Sequence, residues 1–164
     1  MKKFKDYVIS DEVGHDGFNK KVQELDRYNK EFSGKKWGER SSEYEYITYY
    51  GDSVQKIYEK RMGELQKDEE VFNSVPIDLF VKKLGFITEV YEVKTGVGRQ
   101  ILYTAIGQLL THSAIEGAEI KKFLVIPSAE KIPDDLIRAI SFLDIQIYFF
   151  KVIRVGSKTI IELE

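Results

Sequence analysis

The sequence predicts one α/β domain, a central mixed β-sheet flanked by helices, preceded by a mainly helical N-terminal extension. Three observations carry this expectation. From Val71 onward, apolar residues switch between a period of two and a period near 3.6, as in strands interleaved with helices. The 164 residues are 43% apolar and 32% charged, an ordinary globular balance with enough chain for one sizeable core. No internal repeat, low-complexity tract or Gly/Pro linker interrupts the chain, so residues 1–164 read as a single domain, divided into an extension over 1–52 and a core over 53–164.

Taken in order, Asn19–Phe32 has the pattern of an amphipathic helix. The run from Tyr44 to Tyr50 is ambiguous: aromatic residues favour strands, whereas the spacing of Tyr46, Ile47 and Tyr50 also suits a helix. Val54, Ile57, Tyr58, Met62 and Leu65 predict a helix from Ser53 to about Gln66, with Ser53 as its cap. Val75–Lys82 and Phe86–Lys94 read as an antiparallel hairpin turning at Leu84 and Gly85. After the breaks at Gly96 and Gly98, the stripe Ile101, Leu102, Ala105, Ile106, Leu109 and Leu110 predicts a helix over Arg99–Ile115. A buried strand, Phe123–Ile126, is closed by Pro127. A short helix over Pro133–Phe142, a strand over Ile145–Ile153 and an edge strand over Thr159–Leu163 complete the chain.

Composition removes several chemistries. With no cysteine there are no disulfides, zinc–thiolate sites or thiol nucleophiles. Two histidines give poor support to a His-rich metal site or a Ser-His-Asp triad, and His15 reads as loop. No run reaches the roughly 18 apolar residues of a membrane span, and the basic N-terminus lacks the apolar segment of a signal peptide before Asp11 and Glu12. A cytoplasmic protein is expected. A net charge of −2 gives no overall basic field for nucleic acid. Local clusters remain at Lys20–Lys21, Lys35–Lys36, Lys82–Lys83 and Lys121–Lys122.

The chemistry concentrates between Val75 and Thr95. Side chains alternate along a strand, so Glu92 and Lys94 project to one face and Val93 to the other. A hairpin register that brings Asp78 across from Glu92 makes a pair of carboxylates beside an ammonium. Such a hard-oxygen site suits Mg2+ or Mn2+. Its parts meet the needs of phosphodiester hydrolysis: a cation to activate water and hold the phosphate, and a lysine to offset developing charge. The plain alternative is a solvated hairpin face with a weak ion pair.

Pro76-Ile77-Asp78, a 13-residue gap, Glu92-Val93-Lys94-Thr95 and then Thr104-Ala105-Ile106-Gly107-Gln108-Leu109-Leu110 resemble the PD-(D/E)XK nuclease superfamily over roughly Ser53 to Ile126. The resemblance implies a restriction-endonuclease-like core and a Mg2+-dependent deoxyribonuclease of the restriction, defence or repair type. Asp78 and Glu92 would be metal-ligating carboxylates, Lys94 the catalytic lysine, the Val93 backbone carbonyl a further ligand, and Gln108 the residue supplied by the following helix. In one branch a tyrosine follows that glutamine by four residues, where this chain has His112, either a functional neighbour of Gln108 or a boundary histidine. The family often draws an accessory residue from the helix before the hairpin, and Gln55, Glu59 and Glu64 are equal candidates. Lys82, Lys83, Arg99, Lys121 and Lys122 are candidate DNA contacts. Cutting both strands of a duplex takes two sites, so the resemblance also implies a homodimer. The competing expectation is a non-catalytic nucleic-acid-binding or assembly module with the same fold.

Overall fold

Six strands form a single mixed sheet whose spatial order, β1-β2-β3-β4-β5-β6, is also their order in the chain. A computed structural model describes residues 41–164 apart from Glu116 and Ser157. The helix expected over Asn19–Phe32, His15 and the pairs Lys20–Lys21 and Lys35–Lys36 lie outside the described residues.

Helix α1 spans Ser41–Gly63 and is followed by β1 (Glu69–Phe72), β2 (Leu79–Lys83) and β3 (Phe86–Val93). These three strands pair antiparallel. Leu84 and Gly85 both take positive φ, 52° and 85°, the two-residue turn whose twist matches a hairpin. Helix α2 (Arg99–Ser113) crosses to β4 (Lys121–Pro127), and α3 (Asp134–Phe142) crosses to β5 (Ile145–Val155). Both crossovers yield parallel pairs, β3 with β4 and β4 with β5, and β6 (Lys158–Leu163) returns antiparallel along β5.

The sheet separates two cores. Phe80, Val90, Leu124 and Ile126 pack beneath Leu102, Ala105 and Leu109 of α2 and Leu136 and Ile140 of α3. On the opposite face Val81, Tyr91, Val93, Phe123 and Phe150 pack beneath Val54 and Ile57 of α1. With helices on both sides, residues 89–93 of β3 and 123–127 of β4 are buried on both faces, which is why Phe123–Ile126 reads as a continuous rather than an alternating apolar run.

Differences from the sequence expectations cluster before β2. The tyrosine-rich run belongs to α1, a continuous helix over Ser41–Gly63 that passes through residue 52. Ser53 does not cap a helix: it is buried in mid-helix, where its hydroxyl donates to the Tyr49 carbonyl at 2.6 Å. Residues 75–78 are not strand, because reciprocal backbone bonds between Ser74 and Ile77 fold them into a turn around Pro76. The short strand β1 was not expected at all.

Charge also anchors α1. The Arg61 guanidinium donates from Nε to Glu89 Oε2 (2.8 Å) and from Nη2 to Glu89 Oε1 (3.2 Å) and Glu69 Oε2 (2.8 Å). Tyr91 Oη donates to Glu89 Oε2 at 2.7 Å. Arg61 and Glu89 are both buried, so each charge depends on the other for the solvation it has lost.

Candidate active site

The site forms where the hairpin meets α2. Leu79 pairs with Tyr91, and the same antiparallel register carried one step further sets Asp78 across from Glu92. Asp78 is fixed from two sides: the Val93 amide donates to Oδ2 at 2.7 Å and the Tyr50 hydroxyl of α1 donates to Oδ1 at 2.5 Å. Beyond β3 the Lys94 amide donates to the Val125 carbonyl at 2.8 Å. The strand alternation therefore continues, turning Lys94 to the face of Glu92. Its ammonium donates to Glu92 Oε1 at 2.5 Å and to Gln108 Oε1 at 3.0 Å. Gln108 reaches that point because its helix packs on β3 and β4 through Leu102, Ala105 and Leu109 while its own side chain sits at the flank of that stripe. Four residues named from the sequence, Asp78, Glu92, Lys94 and Gln108, are thus brought together, and Val93 lies between the two carboxylates with its side chain in the opposite core.

Glu92 is only 2% exposed. Burial pushes its carboxyl up to about 7, the nearby Asp78 charge pushes in the same direction, and the Lys94 ammonium opposes both. The folded protein therefore holds the Glu92 proton more tightly than the unfolded chain, whose carboxyl titrates near 4.5. For the metal-free protein, this group's contribution to stability is highest below that value and declines as pH rises to about 7, by about 3 kcal/mol in all. Urea unfolding between pH 4.5 and 7 should show this decline in the wild type and a flatter profile in Glu92→Gln. Equal slopes in the two proteins would assign the raised titration to another group.

The donors brought together are two carboxylates, Asp78 and Glu92; the Val93 backbone carbonyl is a third only in what the resemblance implies. No group of three or more metal-ligating side chains occurs among the described residues, which does not suit a zinc or calcium cage. Two hard carboxylates suit Mg2+ or Mn2+, which retain several waters. A buried Glu92 carboxylate whose charge is disfavoured both by burial and by Asp78 is the type of group a cation stabilises. In that sense the residues fit the ion.

Of the accessory candidates on α1, Gln55 donates to Glu59 at 3.1 Å, Glu59 also pairs with Lys56 at 2.9 Å, and Glu64 pairs with Lys60. His112 is half-buried one turn after Gln108. The Lys82 ammonium lies over the Phe72 and Phe80 rings at 5.1 and 5.8 Å, where burial lowers its pKa. Lys83 pairs with Phe86 at the hairpin turn, six residues or about 20 Å along β3 from Glu92. Lys121 pairs with Glu89, three residues or about 10 Å from it. Arg99 forms a two-pronged ion pair with Asp135 at 2.6 and 3.0 Å. Lys122 pairs with Val90, two residues from Glu92 along β3, and is half-buried.

Tyr50 was missed as a site residue. The available signal was its place four residues before Val54, on the stripe that continues through Ile57, Tyr58 and Arg61. No family model, curated protein or solved structure matches this chain.

Proposed function

We propose that this chain is a metal-dependent endonuclease that hydrolyses phosphodiester bonds in DNA, of the restriction, defence or repair type. The observation that supports the reading is the convergence of Asp78, Glu92, Lys94 and Gln108, with one ammonium held between the Glu92 and Gln108 side-chain oxygens. Asp78, Glu92 and the Val93 carbonyl would hold Mg2+ or Mn2+. When bound, the ion lowers the pKa of water and offsets negative charge on the phosphate. The water oxygen attacks phosphorus and gives up a proton to solvent, the P–O ester bond opposite breaks, and the departing oxygen takes a proton from solvent. Lys94 donates toward the phosphate oxygens as their charge grows, and Gln108 holds its ammonium in line.

The test is incubation of supercoiled plasmid, linear duplex, single-stranded DNA and RNA with Mg2+, Mn2+ or a chelator. Cleavage of DNA with either ion and none with chelator is expected. Calorimetry should show Mn2+ binding that Asp78→Ala weakens strongly, because the remaining carboxylate does not hold the ion alone. Retarded DNA migration that needs no ion, with no cutting under any condition, would replace the nuclease by a non-catalytic binding module.

A further inference from the structure

Asp78 differs from the other buried or bridging carboxylates in how it is held. Glu69 and Glu89 are matched by Arg61, Asp135 by Arg99 and Glu92 by Lys94. Among the described residues, Asp78 accepts from the Val93 amide and the Tyr50 hydroxyl, both neutral donors. They come from different elements and take different oxygens. Two directed bonds on the two oxygens of one carboxylate fix its plane, leave a second lone pair on each oxygen and do not neutralise its charge. This is the condition in which a carboxylate is preorganised for a cation that it still needs.

We propose that Tyr50 is a positioning residue that acts through Asp78, orienting its carboxylate for the divalent ion. The proposal rests on the reading of Asp78 as a ligand. Tyr50 is half-buried, and its ring packs against the α1-side core that includes Val54 and Leu79. The ring therefore serves the packing of α1, while the hydroxyl reaches across 28 positions of sequence to the start of β2. Packing and positioning are separable, because Tyr50→Phe deletes the hydroxyl and retains the ring. Tyr49 is a matched control on the same helix: its hydroxyl accepts a bond from Arg154 at 3.1 Å, toward β5 rather than the site.

The experiment measures Mn2+ affinity by calorimetry for the full-length wild type, Tyr50→Phe, Tyr49→Phe and Asp78→Ala, with thermal melting in chelator and steady-state DNA cleavage beside it. Loss of an outer partner of a metal ligand costs about ten- to a hundredfold in affinity or activity. Tyr50→Phe should bind Mn2+ at least tenfold more weakly. At limiting Mn2+ it should lower kcat with KM for DNA unchanged, and raising Mn2+ should restore part of the loss. Tyr49→Phe should match the wild type in both readouts. If the wild type binds Mn2+, Asp78→Ala does not and Tyr50→Phe binds as the wild type does, the positioning role is overturned and the nuclease reading stands. If the wild type itself binds no divalent ion, the nuclease reading falls and the role of Tyr50 falls with it.

Discussion

Replacing Lys94 with alanine is expected to reduce DNA cleavage about a hundredfold or more while DNA binding changes little. The side chain is 21% exposed, and its ammonium is held between Glu92 Oε1 and Gln108 Oε1. A preorganised donor of this type contributes mainly when charge develops on the reacting phosphate, so its removal lowers kcat more than affinity. Lys94→Arg is the more discriminating variant. A lysine serving only as a phosphate-attracting charge is replaceable by arginine. One confined between two acceptors is not, because the planar guanidinium is wider and its donors point elsewhere. Both variants should therefore lose most cleavage, and Glu92→Gln should lose Mn2+ binding first and cleavage as a result. Side-by-side cleavage and gel-shift assays decide the matter. A wild type that cuts, with Lys94→Ala cutting equally well, removes Lys94 from the chemistry.

The largest effect on stability is expected at Arg61. Arg61→Ala strips Glu89 of two hydrogen bonds and Glu69 of one, leaving a buried carboxylate whose remaining donor is the Tyr91 hydroxyl. Breaking one side of a buried ion pair costs about 3–5 kcal/mol, much of it the penalty of the orphaned charge. Urea unfolding followed by circular dichroism should show a loss of that size. Arg61→Met combined with Glu89→Leu should recover much of it, since the pair is then replaced by apolar volume. A loss below about 1 kcal/mol for Arg61→Ala would mean that water reaches Glu89 and that the cluster is not sealed.

Much of the core was legible because its signals are local. Leu84-Gly85 marks a tight turn, Leu102, Ala105 and Leu109 mark a helical stripe, and Phe123–Ile126 is an apolar run closed by proline. Asp78, Glu92 and Lys94 were legible for a related reason, since hairpin pairing and strand alternation convert sequence spacing directly into shared faces. Glu69–Phe72 gave no such signal: four residues with only Val71 buried are too few to establish a period. The tyrosine-rich run left helix and strand both open, because aromatic preference pointed to strand while the spacing of Tyr46, Ile47 and Tyr50 also suited a helix; it lies in the continuous helix α1, with Tyr50 packed against the core beneath it. Tyr50 and the Arg61 cluster depend on contacts across 28 positions, where a charged or phenolic side chain looks in sequence like an ordinary solvated one.

The identity of spatial and sequential strand order has a kinetic consequence. Each strand after β1 docks against the edge left by its immediate predecessor, so no strand waits for a distant one to be inserted between existing neighbours. Assembly of this kind closes the short antiparallel loops of β1–β3 first, while the parallel pairs β3–β4 and β4–β5 wait for their crossover helices. The principal exception is α1, whose contacts run to β1 and β3 and also to β6 at the far end of the chain. As the chain emerges from the ribosome, the sheet can lengthen strand by strand through β5 before α1 meets its last partner. The last step is therefore expected to be the seating of α1 against β6, after Tyr50 has met Asp78 and Arg61 has met Glu89 in the neighbouring hairpin.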